Sequence, residues 1–172
     1  ETDFRFLYHV CMLEGCQMLI FDGNLIVYNE QYIENQKAIE TLEVGEDGVF
    51  TYEDTSAQSY GSAEVASGIF SGRFQNPNAK TTRILRPDAP IQVTSNAEAG
   101  RFAKGLLRNA NKGEKSGLFS KGLMLGYAAA SLLELETPKA SAWNSTVFVT
   151  KVRHDYIGNK STIYFRKPLE GY

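Results

Sequence analysis

Residues 95–110, SNAEAGRFAKGLLRNA, decide how this chain is read. Ser95 and Glu98 stand at the spacing of a capping box, and Ala99, Phe102, Ala103, Leu106 and Ala110 then recur on one helical face. The spacing predicts a helix over 96–110, with Phe102 and Leu106 in the core. Arg101, Lys104 and Arg108 fall on the opposite face and read as solvated surface. Gly100 and Gly105 each cost such a helix about 1 kcal/mol relative to alanine. Packing of the apolar stripe must therefore hold it.

Around this helix the pattern is strands. Downstream they are expected at 118–125, 131–137, 146–154 and 161–167, separated by breaks at 127–130, 138–144 and 157–160. Leu133 and Leu135 alternate with Glu134 and Glu136, a period of two that buries one sheet face and wets the other. Upstream, 49–53, 62–74, 81–85 and 91–94 read as strands, with 75–78 an exposed loop. Connections this short favour antiparallel neighbours over parallel crossovers. The expected class is α+β, mainly β: over 49–172, an antiparallel β-barrel or curved sheet with the one helix packed across it.

The amino end carries its own unit. Phe4, Leu7, Tyr8 and Cys11 lie at helical spacing between a cap at Thr2 and a stop at Gly15. Two β-rich runs, 17–21 and 24–28, flank Asp22-Gly23, a dipeptide that supplies the positive φ angles of a two-residue hairpin turn. One or two helical turns at 29–38 and a strand at 39–44 precede Gly45-Glu46-Asp47-Gly48, read as a subdomain edge. Residues 1–48 are thus expected to form a helix and β-hairpin subdomain ahead of 49–172.

Composition excludes several classes. With 172 residues, 42% hydrophobic and 12% aromatic, the chain can bury a core. Eighteen Lys and Arg against 20 Asp and Glu leave a formal charge of -2, so no general attraction to nucleic acid or to an anionic membrane is expected. The uncharged stretch 122–133 falls short of the roughly 20 apolar residues that span a bilayer. No basic segment followed by an apolar core and a cleavage site opens the chain, so synthesis in the cytoplasm is expected.

Catalytic material is scarce. His9 and His154 are the only histidines. Cys11 and Cys16 with His9 give three candidate zinc ligands where a structural site takes four, so the cysteines read as small buried hydrophobes in a reducing compartment. His154-Asp155 beside a serine suggests a triad, but no nucleophile elbow accompanies it, and His154 reads as a strand-end residue. Glu134 and Glu136 are expected to face solvent. Asp47 and Asp54 lack the oxygen-rich loop of a calcium site, and no glycine-rich phosphate loop precedes a helix. Gly61, Gly68 and Gly72 mark bulges or close backbone approach. Trp143 is either an interface anchor or a loop residue packed on the barrel. The expectation is a protein without metal, cofactor or active site.

The order of these elements resembles a known family. Thr2-Asp3-Phe4-Arg5-Phe6-Leu7 through Glu14-Gly15-Cys16, followed by Phe21-Asp22-Gly23-Asn24-Leu25, looks like the helix and hairpin of phage tail hub proteins, shared by type VI secretion spikes. Val49 to Thr55, Tyr60 and Ser62-Ala63-Glu64-Val65 resemble that family's paired strands, and Ser95-Asn96-Ala97-Glu98-Ala99 with Ala103, Leu106, Leu107 and Arg108 resembles its helix. Val147 to His154 and Arg166-Lys167-Pro168-Leu169-Glu170-Gly171-Tyr172 are similar to the ending of late control gene D proteins. One segment departs: Tyr127-Ala128-Ala129-Ala130-Ser131 stands where the family has a Gly- and Pro-marked turn.

The resemblance implies a non-enzymatic baseplate hub made of tube-like barrel domains, trimeric in its full-length form, seated between tail tube and spike proteins in a virion or tail particle. It implies a family member about twice this length, whose first tube-like domain lies outside this sequence. An ending at Tyr172 favours the phage form over a secretion spike that continues into a needle. Self-association, trimer before dimer, is expected. The competing classes are a small ligand- or peptide-binding β domain, which would show a closed apolar pocket, and a hydrolase, which would set His154 beside a buried nucleophile.

Overall fold

The computed structural model describes residues 2–45 and 48–172, so Glu46 and Asp47 of the expected subdomain edge lie outside the described residues. In chain order the elements are α1 (Asp3–Leu13), β1 (Cys16–Phe21), β2 (Asn24–Asn29), α2 (Glu30–Glu34), β3 (Glu40–Glu43), β4 (Val49–Asp54), β5 (Ser62–Ser67), β6 (Phe70–Gln75), β7 (Ile84–Leu85), α3 (Asn96–Asn111), β8 (Lys115–Gly122), β9 (Leu132–Glu136), β10 (Ser145–Asp155) and β11 (Lys160–Arg166). They sort into two units. One takes the chain up to Gln31, Ala57–Lys112 and Leu169–Tyr172; the other takes Tyr32–Ser56 and Gly113–Pro168. The units interleave along the chain, whereas the sequence reading divided it once, between 48 and 49.

In the first unit, Thr2 caps α1 by accepting a hydrogen bond from the Arg5 amide at 3.4 Å. The helix buries Cys11 and Leu13, while Phe4 and Tyr8, at the same helical spacing, face solvent. The last turn of α1 is where α3 meets it. A Cβ on Gly105 would run into the Leu13 carbonyl, so only glycine allows the approach. The β1–β2 hairpin follows as expected, with Asp22 and Gly23 both at positive φ (48° and 73°) and Phe21 paired with Asn24.

The expected single strand over 62–74 is two, β5 and β6, turning at Gly68. The run 91–94 is not a strand. Its Ile91 and Val93 still enter the core, but the Thr94 amide donates to Glu98 Oε2 at 2.6 Å, which commits that backbone to the helix cap. Ser95 Oγ accepts from the Glu98 amide at 3.2 Å, the usual half of a capping box, while the Glu98 carboxylate reaches the Thr94 amide, one residue upstream of the N-cap amide it usually takes. Helix α3 buries Ala99, Phe102, Ala103 and Leu107, with Leu106 half-buried and Ala110 exposed. The stripe is rotated toward Leu107 relative to the reading, and Arg108, expected in solvent, is buried. The helix packs on β5 and β6 of a three-stranded sheet, where Gly72 touches the backbone of Ala99 and Gly100. It was expected instead across the larger sheet.

The second unit is a six-stranded sheet in the order β3-β9-β10-β11-β8-β4. Leu42, Val44, Phe119, Leu133, Leu135, Trp143, Val147, Val149, Ile163 and Phe165 form its core. The alternation at 132–136 places Leu133 and Leu135 inside, as read. No closed barrel forms among the described residues, since β3 and β4 end the sheet. Nor is pairing wholly antiparallel: β3 runs parallel to β9 and β7 parallel to β5. Both partners are far apart in sequence, and a reading built on consecutive strands does not reach such pairs.

Candidate functional site

The polar residues singled out for chemistry are engaged in structure. His154 Nδ1 lies 2.8 Å from the buried Ser161 Oγ, the juxtaposition named above for a hydrolase, and that Oγ is also held by the backbone, accepting from the Met124 amide at 2.8 Å. Asp155 Oδ1 accepts from the Gly158 amide at 2.9 Å, closing the β10–β11 turn. Glu134 accepts from the Thr146 hydroxyl at 2.9 Å, and Asp54 Oδ1 from the Ser56 amide at 3.0 Å. Cys11 and Cys16 are free thiols, His9 is exposed, and no group of three potential metal ligands occurs among the described residues. Burial, with Cys11 and Glu14 nearby, pushes the Cys16 thiol above its ordinary range.

Trp143 resolves to the second of its two readings. It is buried, edge-on to Phe165 at 5.7 Å and 5.5 Å from Tyr52, with the Lys167 ammonium 5.1 Å over its ring. Gly61 and Gly72 sit where backbone segments touch, and Gly68 supplies a turn with φ of 59°.

The carboxy-terminal motif is a set of anchors. In the first unit, Asn76 Nδ2 donates to the Glu170 carbonyl at 2.9 Å, and the Tyr172 hydroxyl accepts from Asn111 Nδ2 at 2.8 Å. The Tyr172 ring stacks on Phe74 at 5.9 Å beneath the Arg108 guanidinium at 5.4 Å, and Gln31 donates to the Tyr172 carbonyl. Asn111 also accepts from the Tyr60 amide and donates to the Tyr60 carbonyl. Sequence reasoning passed over Asn111. Its one signal was a polar residue at the end of an apolar stripe.

What remains for function is surface. Phe4, Phe6, Tyr8 and Val10 of α1, with Ile20, Phe21, Leu25, Ile26 and Val27 of the hairpin, are all exposed, Ile20 at 65% and Phe21 at 64%. Ile20 pairs with Leu25 and Leu19 with Ile26. Successive strand residues point to opposite faces, so the hairpin is apolar on both. Its single charge between Cys16 and Asn29 is Asp22. On α1, Phe4 and Tyr8 lie on one side of the helix and Phe6 and Val10 on the other, so these side chains do not form one face. Exposed apolar side chains of this kind are suited to protein contact.

No family model and no curated protein matches the sequence. Solved structures do match, across nearly the whole chain. The fold is shared with phage tail proteins. The 43 kDa tail protein of prophage MuSo2 from Shewanella oneidensis superposes with a TM-score of 0.75 at 12% identity, over 98% of this chain and 54% of its own. A tail protein from Neisseria meningitidis MC58 gives 0.73 at 12% identity, over 97% of this chain and 55% of that one. A chain of the native gene transfer agent virion gives 0.59 at 10% identity, over 96% and 38%. The chain therefore spans about half the length of the first two tail proteins.

Proposed function

We propose that this chain is a structural, non-enzymatic part of a phage or prophage contractile tail, and within it the carboxy-terminal half of a baseplate hub that links the tail tube to the central spike. The observation that carries the reading is the likeness to two prophage and bacterial tail proteins over 97% or more of this chain. The helix-hairpin and the Arg166 to Tyr172 ending, which resemble late control gene D proteins, support the hub in particular. The engaged polar residues and the exposed apolar side chains of α1 and the hairpin fit assembly better than catalysis. A ligand-binding domain is disfavoured because Phe119, Trp143, Ile163 and Phe165 pack together in the core of the six-stranded unit.

On this reading the full-length hub is a closed trimer in the tail particle, made in the bacterial cytoplasm, with tube and spike proteins as its neighbours. Deleting the coding region from the phage or prophage should yield particles without tails, restored by complementation. Immunogold labelling should place the protein at the baseplate end of the tube. Normal tails from the deletion strain would sink the proposal.

A further inference from the structure

We infer that the cleft where the end of α1, the end of β2 and the middle of α3 meet is a binding site for a small divalent oxyanion of the phosphate or sulfate type. The cleft lies wholly within the first unit and has a volume of about 190 Å³. A space that holds one water needs only roughly 10–15 Å³, so a group of several heavy atoms fits. Three cations line it, Arg101, Lys104 and Arg108, with Glu14 as its one carboxylate.

These are the cations that helical spacing sets on one side of α3 and that the sequence reading gave to solvent. The structure grades them by depth. Arg101 keeps 56% of its side chain in solvent, Lys104 is half-buried and Arg108 is buried, its guanidinium 5.4 Å over the Tyr172 ring. Charges of one sign that line a cleft with protein walls reinforce one another and concentrate the opposite ion there.

The charge inside the cleft is not balanced. Glu14 is taken by Arg101, its two oxygens accepting from Nη2 at 3.0 Å and Nε at 3.2 Å. Lys104 Nζ donates instead to a neutral amide, Gln31 Oε1 at 3.2 Å, stands 5.8 Å over the Phe74 ring, and makes no ion pair among the described residues. Gln31 is oriented for this, since its Nε2 donates to the Tyr172 carbonyl. Three cations against one carboxylate leave a net charge of +2, which a dianion matches. Guanidinium forks suit an oxyanion, and the lysine adds a point charge. The inference rests on this cleft and its charges, independently of the tail reading.

Amide NMR of the isotope-labelled chain, titrated with inorganic phosphate up to roughly 10 mM at an ionic strength held constant with chloride, tests this. The amides of Gly15 and Gly105, which line the cleft, should shift along saturating curves. Lys104→Met should weaken binding by roughly tenfold or more, the scale of one hydrogen bond to a charged group, and Lys104→Arg should retain it. Lys80→Met, which removes an exposed cation elsewhere in the same unit, should leave binding unchanged. If Lys104→Met unfolds, Lys104→Gln is the milder variant and should act in the same direction. Acetate, a monoanion, should bind more weakly than phosphate. Shifts that stay linear with phosphate, equal losses in Lys104→Met and Lys80→Met, or acetate binding as tightly as phosphate would each overturn the inference.

Discussion

Glu34 Oε1 lies 2.6 Å from Arg166 Nη1 inside the six-stranded unit, with the two side chains 3% and 2% exposed. The same guanidinium sits 4.4 Å over the Phe148 ring and donates to the Lys167 carbonyl at 3.1 Å. Arg166, the first residue of the family-like ending, is thereby a core residue. The pair ties the end of α2 to the end of β11.

Breaking this pair should be costly. Glu34→Ala removes a buried carboxylate that lies 2.6 Å from the guanidinium, and the expected loss in urea unfolding is about 3–5 kcal/mol. Replacing both partners, Glu34→Leu with Arg166→Met, should recover most of it. A double variant no better than Glu34→Ala would contradict the electrostatic account. Salt up to 1 M should change little, because buried pairs are weakly screened.

Phe102→Ala should cost about 3–5 kcal/mol, since the ring is buried against the three-stranded sheet and leaves a cavity. Leu106→Ala should cost less, because Leu106 is only half-buried. Thermal unfolding of the two variants side by side checks the order.

Asn111 satisfies both backbone groups of Tyr60 and the hydroxyl of Tyr172. Asn111→Leu should destabilise by about 1–3 kcal/mol for each buried group left unmet, and Tyr172→Phe by only about 1 kcal/mol. Hydrogen exchange at the Tyr60 amide reads the local effect: protection there should fall in Asn111→Leu and persist in Tyr172→Phe.

The Glu98 carboxyl is held below its ordinary range, first by the Thr94 amide, then by the Thr94 hydroxyl. Its folded value being depressed, its contribution to stability is present above the unfolded value of roughly 4.3 and is lost as pH falls through the folded value. Urea midpoints from pH 7 to pH 3 should fall less steeply for Glu98→Gln than for wild type. Carboxyl NMR showing an unshifted Glu98 would count against the cap.

Local pattern was enough where one element decides its own shape. The cap at Ser95 and Glu98 set the start of α3, Asp22-Gly23 set the hairpin turn, and the alternation around Leu133 set which face of β9 is buried. Neighbours along the chain supply these signals. Arg108 was misread for the same reason: helical periodicity placed it with Arg101, while the Tyr172 ring packed against its guanidinium comes from the far end of the chain.

The apolar hairpin and α1 illustrate the limit from the other side. Phe4 and Tyr8 are spaced as a core stripe, and sequence alone cannot distinguish an apolar face that meets its own chain from one that meets another molecule. Sequence by itself determined the main elements, their turns and the dearth of catalytic groups, because capping, turn dihedrals and side-chain alternation act over a few residues. The tertiary structure alone decided the interleaved units, the parallel β3–β9 and β5–β7 pairs, the open sheet and the burial of Arg166 against Glu34. Those depend on contacts between segments distant in the chain, and local periodicity carries no record of them.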